Sequence, residues 1–572
     1  MRKKFEYKIS ITNFPAAGKL IRFQTIKELL FCTDFCIMCL SNWPKGMQRV
    51  KKYLEKYRGR LFVTGLFVFL LHGAKLHSDI IGIDTEDLIH LQDDFYGGWL
   101  HTGRQGLVFM KYLCGNAEHN PYFSGAMTLL LFTAAVAAFL GLWEYTGGRK
   151  GSIWAWAAGA LLWTSHPAMT EQFYFALQSM EICMAIGLTV LALHGSRQAA
   201  DTIRNGHGWD WKAVLWAVCS AAVLILTFSS YQIFVVLYIF GTVALLLLQA
   251  LKEISEGTEV SGGILFRRIL PYCAIFLTAF LLNTLITQLF FGTSGYLQGQ
   301  IFWGQASAKD CLHGIAGHVL KAFTGYDSIF YNAGLGVLAL FDLVFLIVFL
   351  SGRERKVKGR TGMVIFFYLG ILVTPFMMSV ILGGTPAMRS QLVLPAATAF
   401  LGYLGIWLSQ QTGKGNIRAR GVLTGCAVLI CMVSGIEQAK VTESLYYTDR
   451  CRYEQDAALG RELIGRVEEV NPQGVFPVIV IGGREFSGNA SCVTGEVIGR
   501  SYFNYDREVE PEYYWSTRRI LGFLHILGAE YEQVPEEWIE DAVADSRDMP
   551  VWPARDSVQV SEGVVIVKLS MD

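Results

Sequence analysis

Eleven apolar runs constrain this chain more than any other feature: 60–77, 122–143, 152–166, 172–194, 212–228, 231–251, 269–291, 331–350, 362–382, 391–410 and 420–438. A helix needs about 20 apolar residues to cross the hydrocarbon core of a bilayer, and lipid accepts backbone only as helix or closed barrel. The fold class expected is mostly α, a polytopic membrane protein of about 11 transmembrane helices. The run 152–166 is the shortest of the set.

The connections between these runs alternate in charge. Lys45 to Arg60, Arg149-Lys150, Arg197 with Arg204, Arg267-Arg268, Arg353 to Arg360 and Lys414 to Arg420 are basic, and the intervening connections are poor in Lys and Arg. The positive-inside rule puts the basic set in the cytoplasm. The expected localisation is the cell membrane, multi-pass, with a cytoplasmic N-terminus and, after an odd number of crossings, an external C-terminal domain. The net charge of +1 averages the two sides and carries no message. Residues 1–46 read as a non-native extension or a short amphipathic segment on the inner leaflet. Cys32, Cys36 and Cys39 lie there without the His or second Cys pair that a zinc site needs. Cys451 and Cys492 are both on the expected external side, which leaves a disulfide between them open.

Past Glu437 the texture becomes charged and mixed. Residues 441–572 are expected to form a small external α/β domain, with helices near 456–470 and 515–528 and strands at Phe476–Ile481 and Val564–Leu569. Gly482-Gly483 follows a strand without the G-x-G-x-x-G spacing and reads as a turn.

Chemistry points to the first external loop. From Ser78 to Gly103 it carries Asp79, Asp84, Glu86, Asp87, Asp93 and Asp94 with no Lys or Arg. Carboxylates beside a bilayer are costly, and such residues are functional candidates. The loop also carries His90, Tyr96, Trp99 and His101, a mixture that a solvated spacer does not need. It closes on Gly103-Arg104 and an amphipathic run in which Lys111 shares a helical face with Arg104. A helix start with an arginine beside it suits phosphate. Carboxylates facing a phosphate suggest group transfer, an acid taking the acceptor proton while the cation meets the departing phosphate. Clustered carboxylates also suit Mg²⁺ or Mn²⁺, although no spacing marks such a site. His166-Pro167, Glu171, Gln178 and Glu181 gather at a second external turn, and the long 292–330 connection carries Trp303, His313 and His318. P-loop, H-E-x-x-H, G-x-S-x-G and paired C-x-x-C motifs are all missing. The basic residues follow the membrane topology, so nucleic acid is not implied.

Glu86-Asp87, Gly97-Gly98-Trp99 and Gly103-Arg104 together resemble the acidic-pair, Gly-Trp and Gly-Arg pattern of bacterial membrane glucosyltransferases of GT-C type, which decorate O-antigen and related surface polymers. Ser230-Tyr231-Gln232 is similar to that family's Tyr-Gln-Ala element, and Gly383-Gly384 with Met388-Arg389-Ser390 to the arginine after its late external turn. The resemblance covers about 60–440 and makes residues 47–440 a transmembrane glycosyltransferase domain. It implies transfer of a hexose, glucose in this family, from a polyprenyl-phosphate donor to an external polysaccharide or lipid-linked acceptor. Glu86 and Asp87 then take the acidic-pair role and Arg104 the phosphate-side role, with Lys111, Arg389, Tyr231, Gln232 and Trp99 as further substrate-binding candidates. The pair here is Glu-Asp where the family has Asp-Asp, and Asp84 and Asp93-Asp94 lie close by. The base is therefore open among Asp87, Glu86, Asp84 and Asp94. The rival reading is a flippase of a lipid-linked saccharide. Such a protein needs polar residues along its spans, whereas the acids here concentrate in one loop.

Overall fold

The structure is a computed structural model that describes residues 43–148, 152–204, 209–257, 262–292, 295, 299–351, 361–411 and 417–571. Arg149-Lys150, Arg353 to Arg360, Lys414 and the three cysteines of the N-terminal segment lie outside the described residues. The chain forms two compact units, Met1–Gly59 and Arg60–Asp572, and every candidate site residue belongs to the second.

Helix α1 (Trp43–Leu76) leads into three short helices that carry the acidic loop, α2 (Thr85–His90), α3 (Gln92–His101) and α4 (Gln105–Leu113). The bundle continues with α5 (Pro121–Gly147), α6 (Ile153–Ser165), α7 (Pro167–Tyr174), α8 (Ala176–Thr202), α9 (Trp211–Phe228), α10 (Ile233–Glu256) and α11 (Gly262–Phe290). Then come α12 (Ala308–Thr324), α13 (Gly334–Ser351), α14 (Thr361–Val373), α15 (Met377–Leu382), α16 (Val393–Gln411) and α17 (Ile417–Val470). Among the described residues ten helical stretches are long and apolar enough to cross a membrane. They bear out a mostly helical polytopic membrane protein.

The expected span 152–166 is the exception. It folds as α6, whose 13 residues reach only about 20 Å at 1.5 Å per residue. Pro167 stops it, because a proline inside a helix removes a backbone donor and clashes with the preceding turn. His166 then caps α7, its Nδ1 accepting from the Ala168 amide at 3.2 Å. The chain nevertheless crosses the bundle here. Helix α5 starts beside the start of α8, where Ser124 Oγ donates to the Ala176 carbonyl at 3.3 Å. It ends beside the end of α8, where Arg197 Nη1 donates to Thr146 Oγ1 at 2.6 Å. The α6–α7 pair must therefore run back between those two ends.

Ends that the charge pattern assigns to one side do meet. Arg60 pairs with Glu144 at 3.2 Å, and Arg204 and Arg268 both pair with Glu253. Helix α16 is buried along almost its whole length and forms the centre of the bundle. By contrast α11 presents Leu277, Phe280, Leu281 and Leu285 outward, as a lipid-facing helix does.

Helix α17 has 54 residues, about 80 Å at 1.5 Å per residue. Its first part is the last apolar span, and the rest continues unbroken through residue 440 into the C-terminal region. That region holds β1 (Val478–Ile481), α18 (Tyr514–Ile526), α19 (Ile539–Asp545), β2 (Val558–Ser561) and β3 (Val564–Lys568). The strands lie in the order β1-β3-β2, with β1 parallel and β2 antiparallel to β3. Ile479 and Ile481 of β1 and Ile566 of β3 pack with Tyr513, Val534 and Ile539 to form the core. Gly482 adopts the left-handed conformation at the end of β1, a turn as its sequence suggests. Cys451 and Cys492 are both free thiols, so the disulfide left open by the sequence is not formed.

Candidate active site

The Gly-Trp and Gly-Arg motifs form one piece of local geometry. Helix α3 ends in a Schellman turn, in which the Arg104 amide donates to the Trp99 carbonyl at 2.9 Å and the Gly103 amide to the Leu100 carbonyl at 3.1 Å. This turn needs a residue with positive φ, and Gly103 supplies it at 77°. Arg104 is thereby fixed at the head of α4. Gly106 then allows α4 to lie directly on the turn after α9, its amide donating to the Ser229 carbonyl at 2.9 Å. A side chain at this position would collide with Ser229 and the Leu226 carbonyl.

That contact carries the chain to the Tyr231 element. The Arg104 guanidinium lies over the Tyr231 ring, 5.1 Å from its centroid, within the range of a cation–π contact. Arg104 Nε is buried without a hydrogen-bond partner, and the guanidinium meets no carboxylate among the described residues. Gln232 Nε2 donates to the Thr102 carbonyl at 3.1 Å. The Tyr231 hydroxyl is 2.9 Å from Ser390 Oγ, and the neighbouring Arg389 guanidinium lies over Phe175 at 4.7 Å. Segments around 104, 231 and 389 thus converge. Gln391 fixes the last of them, donating to the Pro386 carbonyl and accepting from Tyr331, with His318 alongside at 3.1 Å. In this way the 292–330 connection supports the Arg389 turn through His318.

The acids of the loop do not share one role. Glu86 is completely buried, and Arg519 of α18 is hydrogen-bonded to its Oε1. Burial raises its carboxyl to about 8, against the downward pull of Arg519. Asp84 is half-exposed, has φ of 73°, and pairs with Arg519 Nη2 at 3.3 Å. Asp87 pairs with Arg518 Nε at 3.4 Å and keeps part of its surface open. Asp94 is exposed on α3. Tyr505 links acids to cations: Arg519 lies over its ring at 5.1 Å, and its phenol interacts electrostatically with both Asp84 and Arg389.

Lys111 and Trp99 are placed differently. Lys111 is fully buried, and its Nζ lies 3.3 Å from Glu181 Oε1, which also accepts from Asn116 at 3.1 Å. The carboxylate that sits inside a span is therefore neutralised by the lysine. Trp99 is buried against Phe95 and Tyr96, with ring centroids 4.8 and 5.9 Å away. Glu171 accepts from the Glu496 amide at 2.7 Å and the Val497 amide at 3.4 Å. Glu496 in turn accepts from the Met388 amide at 2.8 Å.

Sequence reasoning missed Arg518, Arg519, Tyr505, Asp506 and Glu496. Arg518-Arg519 lie in an expected helix, but nothing in their spacing distinguishes them from a solvated pair. Among the described residues no three His, Cys, Asp or Glu side chains are arranged to hold a metal ion. Asp84, Glu86 and Asp87 meet arginines instead, a set that does not fit a divalent cation.

No curated protein and no solved structure matches the chain. Residues 74–409, which contain every converging motif segment, match the family described as glucosyl transferase GtrII. The chain belongs to that family and is a glucosyltransferase, and the flippase reading falls away.

Proposed function

We propose that this enzyme transfers glucose from a polyprenyl-phosphate donor to an external polysaccharide or lipid-linked acceptor, at a site between the acidic loop and the 231 and 389 turns. The observation that carries this reading is the placing of Arg104 on Tyr231, joined through Ser390 to the Arg389 turn. A guanidinium that meets no carboxylate among the described residues, one hydrogen bond from the turn that carries a second arginine, suits a lipid-borne phosphate.

In the proposed reaction the acceptor hydroxyl oxygen attacks the anomeric carbon. The bond from that carbon to the phosphate oxygen breaks, and polyprenyl phosphate leaves with the electron pair. Arg104 and Arg389 meet the charge that develops on it. The hydroxyl proton passes to a loop carboxylate. Asp87 suits this best, because it sits in the acidic pair and remains partly open, whereas Glu86 is sealed against Arg519. The charge pattern of the connections puts the site outside the cell.

The test incubates purified protein in detergent with a panel of polyprenyl-phosphate sugars and a surface-polymer acceptor. Release of polyprenyl phosphate from the glucose donor is expected. Asp87→Asn is expected to lower turnover by about 10²–10⁴ while the protein still inserts and binds donor. Full activity in Asp87→Asn, Asp84→Asn and Asp94→Asn alike would defeat the acid–base reading.

A further inference from the structure

The family match ends at residue 409, yet the acidic pair is held from far beyond it. Arg519 is buried and spends its whole guanidinium on this loop and its surroundings. Its Nη1 donates to Glu86, its Nη2 faces Asp84 at 3.3 Å, its Nε donates to Asp506, and its plane covers Tyr505. One residue earlier, Arg518 meets Asp87 at 3.4 Å. Helix α18 approaches so closely that a Cβ at Gly522 would stand 3.2 Å from Glu86 Cγ. His525, a turn further on, packs its ring 4.4 Å from that of His90.

We propose that the C-terminal domain is a working part of the active site, with Arg519 and Arg518 as positioning residues that fix the loop carboxylates Asp84, Glu86 and Asp87. This rests on the reading that the loop supplies the base. A planar fork can hold three carboxylates at set angles, which the point charge of a lysine cannot. Asp84 is a non-glycine residue in the left-handed region, and strained backbone persists only where its surroundings over-determine it. Docking alone does not require these arginines. The domain is fastened independently by Glu171 on the Glu496 and Val497 amides and by Glu496 on the Met388 amide. Arg518 and Arg519 are thus spent on aiming carboxylates.

The experiment uses the full chain in detergent with Arg519→Lys and Arg518→Gln, the second at a partly exposed pair. For Arg519→Lys, kcat should fall about 100-fold, the scale of a misplaced catalytic group. Donor affinity should hold, and the pH profile of kcat should shift. Arg518→Gln should show the same pattern more weakly. Native kcat and pH profile in both variants would overturn the proposal. So would a joint loss of kcat, donor affinity and melting temperature in both, which would mark the contacts as structural. Asp87→Asn is measured alongside. An inactive Asp87→Asn with native arginine variants would sink this inference alone, whereas activity in all three loop-acid variants would sink the reading beneath it.

Discussion

Replacing Arg104 by lysine separates a phosphate ligand from a membrane anchor. If Arg104 grips the donor phosphate through two parallel hydrogen bonds, lysine retains the charge but loses the fork. A hydrogen bond to a charged group contributes about 1.5–3 kcal/mol. The guanidinium also lies over Tyr231 at 5.1 Å, a contact worth about 0.5–1 kcal/mol that a shorter, more hydrated ammonium keeps poorly. The combined loss is about 2–4 kcal/mol, or about 30- to 700-fold in donor affinity at 1.4 kcal/mol per decade. Equilibrium binding of polyprenyl-phosphate glucose to the purified variant measures it, with acceptor affinity as the internal reference. Tyr231→Phe keeps the ring beneath Arg104 and loses only the bond to Ser390, so it should cost about 1 kcal/mol. Donor affinity in Arg104→Lys equal to that of the parent would refute the reasoning. The phosphate site would then be sought at Arg389.

Three further outcomes follow from the geometry. Lys111→Met should destabilise the protein by about 3–5 kcal/mol, because it strands Glu181 as a buried charge, and Lys111→Met/Glu181→Leu should recover most of that in a thermal melt. Donor binding lost in single and double variants alike would instead make Lys111 a ligand. The folded Glu86 carboxyl, at about 8 against an ordinary 4.5, holds a proton that the unfolded chain releases. Its contribution is complete below the unfolded value and is lost as pH rises through the folded one. Glu86→Gln cannot ionise, so its melting temperature should gain on the parent between pH 5 and pH 9; parallel curves would count against this. Finally, single cysteines introduced in the C-terminal domain should react with an impermeant reagent on whole cells, and reaction within 353–360 would reverse the orientation.

The spans were legible because bilayer thickness sets a length that composition alone can meet. The 152–166 run shows the limit of that rule. Proline at 167 cuts the helix short, and the crossing is completed by a second short helix that no length threshold detects. The change of texture at Glu437 was legible too, but it marks where α17 leaves apolar surroundings, not where it ends. Gly103 and Arg104 stood out because a left-handed turn and a helix start have sequence signatures. The link from Arg519 to Glu86 had none. It joins residues more than 400 positions apart, and a helical period cannot say which face of α18 meets the loop.

The same long helix explains how a loop so rich in acids is held still. Its beginning is fixed from the end of α1 and from α17: Lys75 Nζ donates to the Ile80 carbonyl at 3.1 Å, Arg452 Nη2 donates to the Ile81 carbonyl at 3.1 Å, and Asp449 binds both cations. Its middle is held by Arg519 and its end by the Schellman turn at Gly103 with Gln232 on Thr102. Burying Lys75, Asp449 and Arg452 together carries a desolvation cost that well-packed apolar residues would avoid. A lipid-facing fold has no need of such a network for cohesion, since α16 and its neighbours already bury an extensive apolar core. What the ions add is direction, because Lys75 and Arg452 both end on the loop backbone and Asp449 joins the two. Asp456, which Arg452 also meets, accepts from the Tyr502 amide at 3.1 Å, so the same network sets the C-terminal domain against the loop. Arg519 reaches Glu86 because both sides of that contact are referenced to one helix.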